Sequence, residues 1–184
     1  MGSGNRNRNV CVLVVIALMG AGCGRMLSMD YEPTNPWKGE GALAVSIFRY
    51  DPAEDHRVRP REVETNQAAK TDLFLSQDIG AFFAEALRRE LVHSGYTVKD
   101  SSPLSIWGSV TRFYVDWRRS ETERVFELQA TYNVQSGEKT LFTWTCSSIQ
   151  EGPNLFAQDG ILIRKGAADC MKRFIEASQE AHVF

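Results

Sequence analysis

LSIWGSVTRFYVDW (104–117), RVFELQATYNVQ (124–135) and TLFTWTCSSI (140–149) are the stretches whose reading decides this fold. The second alternates without a break: Phe126, Leu128, Ala130, Tyr132 and Val134 against Glu127, Gln129, Thr131 and Asn133. A period of two with one polar face marks a strand in an antiparallel sheet that is wet on one side. Ser136–Gly137 supplies the turn to the third stretch, which turns Phe142, Trp144 and Cys146 inward. The first stretch changes phase midway. Leu104, Ile106 and Val110 share one parity, whereas Phe113, Val115 and Trp117 share the other. A bulge between Gly108 and Arg112 keeps both halves facing the core.

Upstream of this meander, Ile79, Phe83, Ala86, Leu87 and Leu91 recur at three- and four-residue spacing, which predicts a helix over about 76–94. Ser76 is its expected cap and Gly95 its stop, and Glu85 and Arg89 form an i,i+4 pair on the outer side. Before it, ALAVSIFR (42–49) reads as a buried strand, and Thr97–Lys99 as a short one. After the meander, Ile163, Ala167, Cys170, Met171 and Phe174 share one face of a second helix over about 158–181. The expected class is α+β. A mostly antiparallel sheet of about four strands, in chain order β-α-β-β-β-α, carries two helices on one face. Residues 51–70, polar and without period, are expected to be a long loop.

The amino terminus reads differently. Arg6 and Arg8 precede VCVLVVIALM (10–19), and Gly20, Ala21, Gly22 and Cys23 follow. A basic start, a short apolar run and small residues before a boundary make a secretory signal over 1–22. As a helix the run rises about 15 Å, half of a hydrocarbon core, so it is too short to span one. Residues 23–40, with Pro33, Pro36 and scattered polar groups, are expected to be a flexible tether to a domain over 41–184.

Composition excludes some functions. The whole chain carries a formal −2. Without the signal and its two arginines, 19 basic side chains face 23 acidic ones. That is a poor balance for a nucleic-acid binder, which needs a basic face. His56, His93 and His182 are far apart and none stands at metal-ligand spacing. His93 complements the negative end of its helix. No phosphate cradle, nucleophile elbow or zincin motif is present in the sequence. The chain is therefore expected to be no enzyme and to need no metal or cofactor. The densest charged cluster is Asp51, Glu54, Asp55, His56, Arg57, Arg59 and Arg61. Within it Arg57, Arg59 and Arg61 are candidates for partner binding, although a solvated loop explains them as well. Cys146 and Cys170 both fall on inward positions, either as a disulfide or as two buried thiols packing as small hydrophobes.

Cys23 after small residues resembles the bacterial lipobox, in which a diacylglycerol-bearing Cys becomes the mature N-terminus. Gly20 stands where that motif has Leu, and Leu18 lies two positions earlier. Together with FFAEALRRELVHSGYTV (82–98), the 104–117 strand, the 130–144 hairpin and the last helix, this organisation resembles the YajG-like envelope lipoproteins. Auxiliary lipoproteins of ABC-type transport and the lipopolysaccharide-assembly lipoprotein have a related-looking architecture. The resemblance implies lipidation at Cys23, most readily on the periplasmic face of the outer membrane, since Gly24 and no Asp follows. It leaves molecular function open. The expected partners are the membrane, reached through Cys23, and an envelope protein. Three functions compete: a binding or assembly module, an accessory subunit of lipid or lipopolysaccharide transport, and, least favoured, an envelope hydrolase.

Overall fold

The computed structural model describes residues 24–66, 72–117, 123–153, 155 and 158–184. Chain order is β1 (Arg25–Leu27), β2 (Ala42–Val45), β3 (Arg49–Tyr50), α1 (Asp51–Glu54), β4 (Glu62–Thr65), β5 (Leu73–Leu75), α2 (Ile79–His93), β6 (Thr97–Lys99), β7 (Leu104–Asp116), β8 (Glu123–Ser136), β9 (Lys139–Pro153) and α3 (Gln158–Glu180).

The meander β7–β8–β9 is antiparallel throughout. Its register shifts between Val110 and Arg112, and that bulge is why Val110 and Phe113 are both buried despite opposite parity. Gly137 turns the chain between β8 and β9 at φ +59°, a backbone that side-chain-bearing residues avoid. Phe126, Leu128, Ala130, Tyr132 and Val134 all point into the core. Both longer helices cover that one face. Phe83 of α2 meets Phe113, which touches Phe126, while Phe174 of α3 stacks on Tyr132 with ring centres 4.4 Å apart.

Three expectations fail, each for a physical reason. The sheet has nine strands rather than about four and is mixed. β2, β3 and β4 line up one after another along a single edge of β7, all parallel to it. The strand expected over 42–49 is split into β2 and β3, and β4, four residues long, is too short for a period to declare itself. Residues 51–70 are not a single loop, because α1 and β4 lie within them. Residues 24–40 are not a tether: β1 pairs with β5 in parallel, and Met29, Tyr31 and Asn35 are buried. The start of α2 also differs, since Asp78 rather than Ser76 is the N-cap, and it makes no side-chain capping bond. Gly95, at φ +96°, ends the helix as expected.

The register gives the molecule two poles. At one, the carboxyl end of β7 (Tyr114, Val115) meets β4, and through β5 it reaches Arg25. At the other, the amino end of β7 (Ser105, Ile106) meets β2, and through it β6. Ten residues of strand separate them, about 30 Å.

Candidate functional site

At the first pole a carboxylate closed to water holds three elements together. Asp159, in the first turn of α3, is fully buried. Its Oδ2 accepts from Arg25 Nη1 and its Oδ1 from Arg124 Nη1, each at 2.7 Å. The acid sits where the helix dipole favours negative charge, and the two cations come from β1 and β8. Asp159 lies in phase with Ile163 and Cys170 on the apolar stripe. A charged residue in that phase is the signal by which sequence reasoning could have found it.

Glu90 carries the same signal on α2, in phase with Phe83 and Leu87, and it too is fully buried. Its carboxylate accepts from Tyr31 Oη at 2.5 Å, Thr34 N at 2.9 Å and Asn35 N at 3.0 Å. Burial above all, then this bond, pushes the Tyr31 phenol well above its ordinary range. Asn35 Nδ2 donates onward to Ser94 Oγ at 2.9 Å. Backbone donors of a proline-rich segment are thus satisfied by a side chain more than fifty residues away.

At the second pole the end of α2 and the strand β6 border a groove of about 560 Å³. Arg88, Arg89, His93 and Lys99 contribute positive or titratable groups, balanced in part by Glu85 and Asp100, with Pro33, Val92 and Val98 between them. Arg89 bonds Glu85 and Asp30, and Arg88 donates to the Val45 carbonyl, so both guanidiniums are held in place. Val92 is exposed. A charged rim around small apolar patches suits binding a polar surface.

The residues singled out in the sequence are distributed as follows. Cys23 lies outside the described residues. Cys146 and Cys170 are joined in a disulfide, Cα atoms 5.6 Å apart, linking β9 to α3. Arg173 Nη2 lies 3.2 Å from Cys146 Sγ and donates to the Ser147 carbonyl. Arg57, Arg59 and Arg61 are exposed, but each is engaged: Arg57 with Glu64, Arg59 with Glu62 and Asp72, Arg61 with Asp78. Arg59 also lies over the Phe74 ring at 4.3 Å. They brace the β4–β5 leaf. Of the histidines, His93 borders this groove. Sequence reasoning missed that groove because its walls come from separate elements.

No protein-family model matches this chain, and no curated protein matches it in sequence. Solved structures do match. A Xanthomonas campestris protein of the DUF330 family overlays with a TM-score of 0.67 at 10% identity, covering 86% of this chain and 96% of that one. A hypothetical protein from Chlamydia trachomatis overlays at 0.50 and 12% identity, covering 79% and 98%. The rare lipoprotein B of Shewanella oneidensis gives 0.46 at 8% identity, covering 79% and 97%. The likeness to the first two is one of fold.

Proposed function

We propose that this protein is a YajG-like, lipid-anchored lipoprotein of the bacterial envelope, facing the periplasm from the outer membrane and serving as a non-catalytic binding or assembly module. The observation that carries this reading is the polarity of the fold. Arg25, two residues after the signal-like boundary at Cys23, is locked at one pole, and the α2–β6 groove opens at the other. An acylated Cys23 would hold the body by its first pole and present the groove away from the bilayer, on a scaffold stiff enough to position it.

The groove favours a protein surface over an acyl chain. Six of its nine lining residues are charged or titratable, and desolvating them against hydrocarbon is costly. An accessory role in lipid transport fits this arrangement only if the groove grips the transporter and not its cargo.

The test has two parts. Cys23→Ala should leave uncleaved precursor or release the protein from membranes, whereas normal processing with unchanged membrane partitioning removes the anchor. A photo-crosslinker replacing Val92 in intact cells should capture a discrete envelope protein, and the same group replacing Thr145 on the wet sheet face should not. Capture from both positions alike, or from neither, removes the groove as the binding surface.

A further inference from the structure

β9 forms a long outer edge of the sheet. It runs for 15 residues and pairs with β8 on one side, and among the described residues no strand pairs with its other side. The Ser147 carbonyl accepts from Arg173 Nη2 at 2.8 Å, a donor outside the β8–β9 ladder, so it points away from β8. Backbone groups of an antiparallel strand repeat their direction at every second residue. The N–H and C=O of Thr143, Thr145 and Ile149 therefore point outward as well. Proteins ordinarily guard such an edge with charge, proline or short length. From 141 to 150 the strand reads LFTWTCSSIQ, with no charge, glycine or proline. Arg173 reaches across from α3 to one carbonyl, and that oxygen keeps a second lone pair.

The side chains along this edge match a second β9. Thr143 and Thr145 lie on the wet face, where Thr143 Oγ1 donates to Asn133 Oδ1 at 2.8 Å and Thr145 Oγ1 lies 3.1 Å from Thr131 Oγ1. Ser147, across from Gln129, is exposed on the same face. Two such strands running antiparallel about Thr145 set Thr145 against Thr145 and Thr143 against Ser147. The next step brings the exposed Ile149 of one copy beside the exposed Leu141 of the other. Hydroxyl pairs and apolar pairs both stabilise neighbouring strands. At the ends, Lys139 of one copy reaches the end that carries Glu151 in the other, so the charges there are opposite. A strand of unrelated sequence would find the backbone groups but not this match.

We propose that β9 is the docking surface for a second copy of this chain. The two β9 strands pair antiparallel about a two-fold axis at Thr145, and the wet face continues from one copy into the other. The contact shares no residue with the α2–β6 groove and does not depend on a lipid anchor. A probe at Thr145 meets the chain itself, distinct from any foreign protein reached from Val92.

The test uses the full-length protein in detergent. In a hydrogen-bonded antiparallel pair the Cα atoms lie about 5.5 Å apart, inside the disulfide range of about 4.4–6.8 Å. Under mild oxidation Thr145→Cys should link to itself and give a covalent dimer. Thr143→Cys mixed with Ser147→Cys should link as well, whereas Gln129→Cys, exposed one strand further in, should not. The parent chain, oxidised alongside, sets the background from Cys11 and Cys23, since Cys146 and Cys170 are already joined. Sedimentation equilibrium in density-matched detergent should give the parent twice the mass of the Thr145→Lys variant, whose like charges would face each other across the axis. Thr145 is exposed, so that variant keeps its fold, which far-ultraviolet dichroism checks. A monomeric parent, or linkage at 129 equal to that at 145, overturns the proposal. So does a Thr145→Lys variant that stays dimeric, because the copies then meet elsewhere.

Discussion

Arg124 Nη1 lies 2.7 Å from Asp159 Oδ1, an ion pair whose acid has no access to water. Because Arg25 holds the other oxygen, one carboxylate ties β1, β8 and α3 together. Asp159→Asn keeps the shape but removes the charge that both cations were buried against. Breaking a buried pair from one side costs about 3–5 kcal/mol. Urea unfolding at neutral pH should show a loss of that size. A loss below about 1 kcal/mol would mean that the two arginines find equal partners elsewhere.

Glu90 governs the segment from Tyr31 to Asn35. Glu90→Ala leaves the Tyr31 hydroxyl and the Thr34 and Asn35 amides without their acceptor. A buried donor left so, as at Tyr31 and Asn35, costs about 1–3 kcal/mol, and about 1.4 kcal/mol is tenfold in an opening equilibrium. Hydrogen exchange at the amides of 34 and 35 should accelerate by about tenfold or more, while the amides of β8 stay protected. Uniform acceleration across the molecule would show instead that Glu90 supports the whole fold.

The Cys146–Cys170 bond closes a loop with a sequence separation of 24. On the chain-entropy estimate a bridge of that span stabilises by about 3–4 kcal/mol. The double variant Cys146→Ala, Cys170→Ala should lower the urea midpoint accordingly without changing the far-ultraviolet dichroism. Alkylation of the native protein should find neither thiol free.

Three tyrosines set an alkaline limit. Burial, first among the causes, pushes the phenols of Tyr31, Tyr50 and Tyr132 upward from the ordinary value of 10.0. Above about pH 10 the unfolded chain releases these protons and the folded chain keeps them. Their contribution is therefore complete below that pH and declines as pH rises past it. Each contributes a slope of about 1.4 kcal/mol per pH unit, so the three together give about 4. Denaturation midpoints measured from pH 9 to about pH 11 should fall steeply. Tyr132→Phe should remove a third of that slope. The Tyr132 hydroxyl has no partner among the described residues, so this variant should be at least as stable as the parent at neutral pH. A loss at neutral pH would reveal a bond to that hydroxyl.

The parts legible in the sequence are those where burial repeats at the period of one element. β8 shows its inward face in its own alternation, β7 shows its bulge in a change of phase, and α2 and α3 show their apolar stripes. Cys146 and Cys170 could be placed facing inward by the same logic.

What only the tertiary structure decided is who meets whom. Arg25–Leu27 is three residues long, shows no period, and becomes a strand because β5 lies beside it and Asp159 waits at its end. The segment around Thr34 is ordered by Glu90, and the groove exists only where α2 and β6 come together. Local pattern reports whether a residue is buried, since that depends on the geometry of its own element. The partner depends on long-range packing, whose contacts are far apart in the chain and leave no periodic trace in it.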